Sequence, residues 1–229
     1  GADTDERLGP RRVTQSGDFS YATVMKAAAM MFLGSFVFGA PLVIYGGLPI
    51  LVIGILSVLC GYAYTSGPFP LAYRGLGDLF VIVFFGIVPV MGTFYLHTFI
   101  WDLETVLVGL QVGFLSAVLI AINNLRDIHT DSKVGKKTLA VRLGVEGAKI
   151  EIQLLILIPF LLNFYWLYRN QEWLFLSLIP FLSLPIAVIL SQKIKRTEPS
   201  REYNSFLGKA AALHLIFGML LTMTFLVIN

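Results

Sequence analysis

The stretch LETVLVGLQVGFLSAVLIAINNLRDIHTD, residues 103–131, joins a long apolar segment directly to a polar and acidic one. Residues 103–122 contain a single charged side chain, that of Glu104. A helix that crosses the hydrocarbon core of a bilayer needs about 20 predominantly apolar residues. The stretch therefore predicts a membrane-spanning helix that ends, at one membrane face, in a cluster of carboxylates and amides.

The composition of the whole chain agrees with a membrane protein. Of the 229 residues, 56% are hydrophobic and 14% are charged, whereas about 25% charged residues are usual in soluble domains. The formal net charge of +3 does not indicate a nucleic-acid partner, because the basic residues lie in alternate loops. The single cysteine, Cys60, lies in an apolar run, which excludes a disulfide framework and a thiolate metal site.

Long apolar runs predict an all-α fold, a transmembrane bundle of seven helices in one domain that covers residues 1–229. The predicted spans are residues 24–44, 48–64, 79–97, 103–122, 148–168, 173–191 and 206–228. Of the 17 Lys and Arg residues, only Arg169 falls on the side of the short links. Because cytoplasmic loops carry the excess of Lys and Arg, the long loops are expected in the cytoplasm. A bacterial plasma membrane is the favoured location, with a thylakoid or plastid membrane as the alternative.

The acidic end of the quoted stretch has the spacing of a ligand face. Asn123, Asp127 and Asp131 are separated by four residues each, so a helix places all three on one face. Carboxylate and amide oxygens suit Mg²⁺, which takes one or two carboxylates together with substrate phosphates. The loop that follows adds cationic donors for an anion, namely Lys133, Lys136, Lys137 and Arg142. The sequence thus predicts a Mg²⁺–diphosphate site, and a solvated charged loop is the competing interpretation.

Residues 123–144 resemble the second aspartate-rich motif of the UbiA superfamily of intramembrane prenyltransferases. The wording NNLRD at 123–127, YTSGP at 64–68 and GLGD at 75–78 is similar to the branch that acts on 1,4-dihydroxy-2-naphthoate. The opening residues 1–12 resemble the tail of that branch's first aspartate-rich motif. Since the family has nine transmembrane helices, the resemblance implies that two N-terminal helices are absent and that the chain is N-terminally incomplete.

The resemblance also implies functional roles for individual residues. Asp3, Asp127 and Asp131 are expected to be catalytic and to hold Mg²⁺, the implied cofactor, on the prenyl diphosphate. The expected substrate-binding residues are Asn123, Lys136, Lys137, Arg142, Arg74 and Asp78. Asp78 ends a Gly-rich loop on the motif side and is a candidate for binding acceptor hydroxyls or orienting a base, with helix capping as the alternative. The aromatic rings of Phe84, Phe85, Phe94 and Tyr95 are candidates by position for stabilising an allylic cation, and core packing is the competing role for each. Glu151, near the cytoplasmic end of its helix, is expected to face water.

The implied activity is transfer of a polyprenyl or phytyl group from its diphosphate to 1,4-dihydroxy-2-naphthoate with decarboxylation, in menaquinone or phylloquinone biosynthesis. The expected partners are these two substrates and the lipid bilayer. One alternative is another acceptor within the superfamily: 4-hydroxybenzoate, homogentisate, a chlorophyllide or haem. A membrane transporter without enzymatic activity is a remote alternative. A transporter would place ionisable residues along a path at mid-membrane, whereas in this sequence they cluster at one membrane face.

Overall fold

The computed structural model describes residues 8–10, 13–14, 16–65, 70–169 and 174–228, and within these ranges the regular elements are all helical. Nine α-helices follow one another in these described ranges. They are α1 (Tyr21–Thr65), α2 (Gly77–Ile82), α3 (Val88–Thr98), α4 (Leu103–Arg126), α5 (Ile128–Lys133), α6 (Leu139–Arg169), α7 (Leu174–Ser177), α8 (Leu184–Arg196) and α9 (Tyr203–Ile228). The all-α fold class is confirmed.

Helix α1 is interrupted where the sequence predicts a link between two spans. Its 45 residues would extend for about 68 Å as one straight helix, roughly twice the hydrocarbon thickness. Gly47 breaks it with φ 70° and ψ −155°, a left-handed conformation that glycine adopts without steric cost. Residues from 35–44 and from 51–58 line one cavity of about 460 Å³. The two arms therefore lie side by side, as the predicted spans 24–44 and 48–64 require.

Six helical stretches in the described part of the chain are long and apolar enough to cross a membrane, with α1 counted as one. The predicted span 79–97 corresponds to Gly77–Thr98, in which the π-helical segment Val83–Ile87 joins α2 to α3. Pro89 follows this segment, and its missing N–H explains the irregular turn. The predicted span 173–191 is likewise irregular, because the 3₁₀ turn Ile179–Ser183 precedes α8.

Helix α4 is the centre of the bundle and packs against α6, α9 and the span Gly77–Thr98. Small residues allow one of these contacts to be made between backbones. A Cβ atom built on Gly86 would lie 2.2 Å from the carbonyl oxygen of Gly109, and one built on Gly113 would lie 2.5 Å from that of Ile82. Because Gly86 meets Gly109 and Ile82 meets Gly113, the two spans run antiparallel. Asp78 is therefore carried toward the acidic end of α4.

A buried polar network fixes α4 against α6 in the apolar interior. The Nε2 of Gln111 donates to the carbonyl oxygen of Pro159 at 3.0 Å and to Oδ1 of Asn163 at 3.3 Å. The indole Nε1 of Trp166 donates to Oε1 of Gln111 at 2.9 Å. In lipid, where water is absent, such interhelical hydrogen bonds satisfy polar groups that would otherwise be costly. The network also sets the axial position of α6, so that Glu151 lies toward the same end of the bundle as Asn123.

Candidate functional site

The motif residues sit at a junction between two helices. Helix α4 ends at Arg126, α5 begins at Ile128, and Asp127 between them has φ −95° and ψ 10°. The predicted uninterrupted helix through residue 131 is therefore wrong at this one residue. Helical hydrogen bonding nevertheless continues, because the amide of Asp127 donates to the carbonyl of Asn123 at 3.1 Å and that of Asp131 to the carbonyl of Asp127 at 2.8 Å. The four-residue spacing of the motif is preserved across the junction.

The carboxylate of Asp127 is held by its neighbour in the sequence. The guanidinium of Arg126 donates from Nε to Oδ1 at 2.8 Å and from Nη2 to Oδ2 at 2.7 Å, a bidentate geometry that fixes the carboxylate plane. Arg126 is only 3% exposed and also donates from Nη1 to Oδ1 of Asn204 at 2.7 Å. Asn204 in turn donates to the carbonyl oxygen of Leu8 at 3.0 Å. Asp127 is thus connected, through Arg126 and Asn204 of α9, to Leu8 in the opening residues of the chain.

The carboxylate of Asp131 has a different cationic partner. Lys136 reaches back to it, with 2.9 Å between Nζ and Oδ1, and the same Nζ lies 5.2 Å from the ring centroid of Tyr73. The side chain of Asp131 is 11% exposed and that of Asp127 is 20% exposed, so neither carboxylate projects into bulk solvent. Lys136, predicted as a diphosphate donor, is engaged with Asp131 in this structure.

The basic loop docks onto the segment that precedes α2. The amide of Lys137 donates to the carbonyl of Tyr73 at 3.0 Å, and Nε of Arg142 donates to the carbonyl of Lys137 at 3.2 Å. A Cβ atom on Gly75 would lie 3.0 Å from Nε of Arg142, and Gly75 has φ +73°, so both the conformation and the close approach favour glycine here. Arg74, Lys137 and Arg142 are exposed, and these predicted substrate-binding cations therefore share one surface, beside the turn at Gly75.

Asp78 lies in the first turn of α2, three residues after Gly75, and is 5% exposed. The residue at the N-cap is Leu76, and no side chain caps the helix, so the capping alternative for Asp78 does not hold. Within the described chain, neither of its carboxylate oxygens has a hydrogen-bond partner. Oε1 of Glu151 is also buried without a partner, which corrects the expectation that Glu151 faces water. A carboxylate at that place in an apolar run was the only sequence signal for it.

An apolar cavity of about 410 Å³ lies between the second arm of α1 and the span Gly77–Thr98. Its lining residues are Ser57, Cys60, Gly61, Tyr64, Phe80, Val81, Phe84 and Phe85. The hydroxyl of Tyr64 marks its polar end, since a Cβ atom on Gly77 would lie 3.2 Å from that oxygen. The cavity is thus apolar and aromatic along its length, and it ends next to the turn that carries Asp78.

The described residues could supply part of a metal site. No group of three or more His, Cys, Asp or Glu side chains that could hold a metal ion occurs among them. Asp127 and Asp131 provide two hard-oxygen carboxylates, which is the number that Mg²⁺ commonly takes from a protein when substrate phosphates complete its shell. Asp3, the third predicted ligand, lies outside the described residues. The donor set fits magnesium in chemistry, with phosphate oxygens required to complete it.

Comparison with known proteins places these features in a family. The model of the UbiA prenyltransferase family matches residues 2–227. A 1,4-dihydroxy-2-naphthoate octaprenyltransferase of Haemophilus influenzae is 41% identical over 156 residues, which cover 66% of this chain and 51% of that protein. The protein of the same description from Escherichia coli is 36% identical over 194 residues, 80% of this chain and 62% of that protein.

A 2-carboxy-1,4-naphthoquinone phytyltransferase of Synechocystis is 30% identical over 174 residues, 74% of this chain and 55% of the relative. The chain therefore spans about half to two thirds of the length of these relatives. The family match covers almost the whole sequence, and the six apolar helical stretches agree with it. This chain is an integral, multi-pass membrane protein and belongs to the UbiA prenyltransferase family.

Proposed function

We propose that the full-length protein transfers a polyprenyl or phytyl group from its diphosphate to 1,4-dihydroxy-2-naphthoate, in menaquinone or phylloquinone biosynthesis. The relatives described above are named for octaprenyl transfer to this acceptor and for phytyl transfer to a carboxynaphthoquinone. The observation that carries the proposal is the pair of shielded carboxylates, Asp127 and Asp131, at the end of α4. They lie beside cationic donors and near an apolar cavity, as a substrate with an anionic head and an isoprenoid tail requires.

The diphosphate binds at the motif end of the bundle in this proposal. Asp3, Asp127 and Asp131 would hold Mg²⁺, and the metal would neutralise charge on the departing diphosphate as a Lewis acid. Arg126 keeps the Asp127 carboxylate in a fixed plane through its two hydrogen bonds. The exposed cation of Lys137 donates to phosphate oxygens, because charge-assisted hydrogen bonds of this type are strong and directional.

The isoprenoid tail occupies the apolar cavity. Loss of diphosphate leaves an allylic cation that water would trap, so the reacting carbon must be kept dry. The faces of Phe84 and Phe85, which line the cavity, stabilise such a cation by about 0.5–2 kcal/mol each. The allylic C–O bond breaks, a bond forms to an aromatic ring carbon, and the acceptor's carboxylate leaves as CO₂ so that the ring regains its aromatic electrons. The long basic loops face the cytoplasm of a bacterial plasma membrane in this scheme.

A transfer assay on membranes that contain the full-length protein tests the proposal. Labelled prenyl diphosphate is supplied with Mg²⁺ or with a chelator, and 1,4-dihydroxy-2-naphthoate is compared with 4-hydroxybenzoate as acceptor. We expect naphthoate product only with Mg²⁺, and a loss of about a hundredfold or more in Asp127→Asn and Asp131→Asn.

Asp102→Asn is the matched control for these substitutions. Its carboxylate caps α4 at the opposite end by accepting from the amide of Glu104 at 2.7 Å, and asparagine caps a helix equally well. Full activity is expected in this variant. Product from 4-hydroxybenzoate alone would refute the acceptor, and unchanged turnover in both motif variants would refute the metal site.

A further inference from the structure

Two carboxylates inside the bundle have buried oxygens without a hydrogen-bond partner among the described residues. Asp78 is 5% exposed, and among the described residues neither of its oxygens accepts a hydrogen bond. Oε1 of Glu151 on α6 is also buried, and it accepts no hydrogen bond from a described residue. The two groups are close enough for their negative charges to repel one another electrostatically. Three buried acceptor atoms of this part of the bundle therefore have no hydrogen-bond donor among the described residues.

Such an arrangement is costly unless a ligand supplies what is missing. A buried polar group without a hydrogen bond costs free energy, and a buried charge without a partner costs much more. A carboxylate that stays ionised in this interior is an acceptor only. The partner that such a carboxylate lacks is therefore a hydrogen-bond donor or a cation. The other polar side chains of this interior, such as Gln111 and Lys149, have their partners within the protein. Asp78 and Glu151 differ from them in this respect.

The surroundings favour a donor carried by an anionic aromatic molecule over a free metal ion. Arg142 lies beside Gly75, three residues before Asp78, and Lys137 is joined to the same turn. These two cations repel a free divalent cation that approaches the turn, and they attract an anion. The aromatic cavity that ends at Tyr64 borders the same turn. The isoprenoid tail keeps this cavity, and a flat ring beside its Tyr64 end, with a carboxylate toward Arg142 and a hydroxyl toward Asp78, fits the charges on both sides.

We infer that Asp78 and Glu151 together form the acceptor-binding site, and that a ring hydroxyl of the hydroxylated aromatic acid donates its one hydrogen bond to this pair. This inference rests on the proposed function, and it adds Glu151 and the orientation of the acceptor to it. The carboxylate of the acceptor faces the exposed Arg142. The hydroxyl of the acceptor is buried against Asp78 and Glu151. Hydroxyl groups thereby become the feature by which the protein selects its acceptor.

The experiment compares Glu151→Gln and Asp78→Asn with Glu202→Gln in the full-length protein. Glu202 is exposed and serves as the matched control. The KM values for the acceptor and for the prenyl diphosphate are measured separately, together with the Mg²⁺ concentration that gives half-maximal rate. Thermal stabilisation by 1,4-dihydroxy-2-naphthoate and by 1-hydroxy-2-naphthoate, which lacks one hydroxyl, gives a readout of binding without turnover.

We expect Glu151→Gln to raise the acceptor KM by about tenfold, the effect of losing a hydrogen bond to a charged group. The KM for the diphosphate and the Mg²⁺ requirement should stay unchanged. The two naphthoates should differ in thermal stabilisation of the wild type and of Glu202→Gln, and that difference should shrink in Glu151→Gln. The unliganded Glu151→Gln protein should unfold at or above the wild-type temperature, because the amide of glutamine is neutral and carries hydrogen-bond donors.

An unchanged acceptor KM and an unchanged difference between the two naphthoates would overturn the inference. A shift in the Mg²⁺ requirement alone would also overturn it, since it would assign the pair to a cation. Failure of the proposed function gives a different result, namely no naphthoate product in the wild type. The thermal comparison still decides the role of the pair in that case.

Discussion

Alanine at Gly86 should force apart the two spans that form the centre of the bundle. The added Cβ atom would lie 2.2 Å from the carbonyl oxygen of Gly109 and 2.5 Å from Cα of Gly113. Carbon contacts are most favourable at about 3.5–4.0 Å, so relief requires a shift of roughly 1 Å. The obstructing atoms belong to the backbone of α4, and no side-chain rotation can move them away. The whole helix has to move.

The cost can be estimated from these contacts. Overpacking a well-packed interior typically costs about 1–3 kcal/mol, and a gap of 0.5–1 Å forfeits about a quarter to a half of each contact along the interface. We therefore expect Gly86→Ala to lower the free energy of unfolding by about 3 kcal/mol, which corresponds to a fall of about 6–12 °C in melting temperature for a chain of this size. Prenyl transfer should fall as well, because Asp78 moves away from α4.

Thermal unfolding of the detergent-solubilised full-length protein, together with the transfer assay, measures both effects. Gly92→Ala is the matched control, because Gly92 lies in the same span and a Cβ atom there meets nothing within 4 Å. It should leave the melting temperature unchanged or raise it, since alanine is favoured over glycine in a helix by about 1 kcal/mol. Equal melting temperatures for Gly86→Ala and Gly92→Ala would refute the close backbone packing.

Three further substitutions test other contacts. Arg126→Ala should destabilise the protein by about 3 kcal/mol, because it leaves Asp127 without its bidentate partner, and Arg126→Lys should lose less; equal melting temperatures for the two would show that the retained charge is irrelevant. Gln111→Leu should cost about 2–3 kcal/mol, since Nε1 of Trp166 loses its acceptor, with both KM values unchanged; an altered KM would contradict a purely structural role. The free energy of unfolding of Lys149→Met should stay within about 1 kcal/mol of the wild-type value. Its partners Glu146 and Glu198 are 80% and 78% exposed, so water replaces the lost cation. A larger loss of stability in thermal unfolding would contradict this expectation.

The spans could be predicted because hydrophobicity over about 20 residues is a property of the local sequence. The link at residues 45–47 was predicted on the same basis, and the structure places the break at Gly47. The backbone at Asp127 could not be predicted, because helical spacing continues on both sides of it and gives no warning of a single non-helical residue. The ion pair of Arg126 also depends on Asn204, 78 residues away in the sequence. Such tertiary partners leave no periodic signal.

The burial of Glu151 shows a second limit of sequence reasoning. A carboxylate near the end of a spanning helix normally reaches water, and this was the expectation for Glu151. Whether it does so depends on which helix packs over it, and here its Oε1 is covered. The prediction for Asp78 came from its position at the end of a Gly-rich loop on the motif side, and it placed the residue at the acceptor. Its lack of a capping interaction removes the structural alternative and leaves the functional one to be tested.

The polar side chains of the spanning helices thus divide into two kinds, and the division has a physical meaning. Gln111 has its hydrogen bonds within the protein, and buried Lys149 contacts two carboxylates. Groups of this kind stabilise the fold and need nothing from outside. Asp78 and Glu151 are buried at a cost that no described contact repays. A ligand that enters the bundle with a hydrogen-bond donor would offset this cost, and on that ground we infer that these unsatisfied acceptors mark where substrate binds.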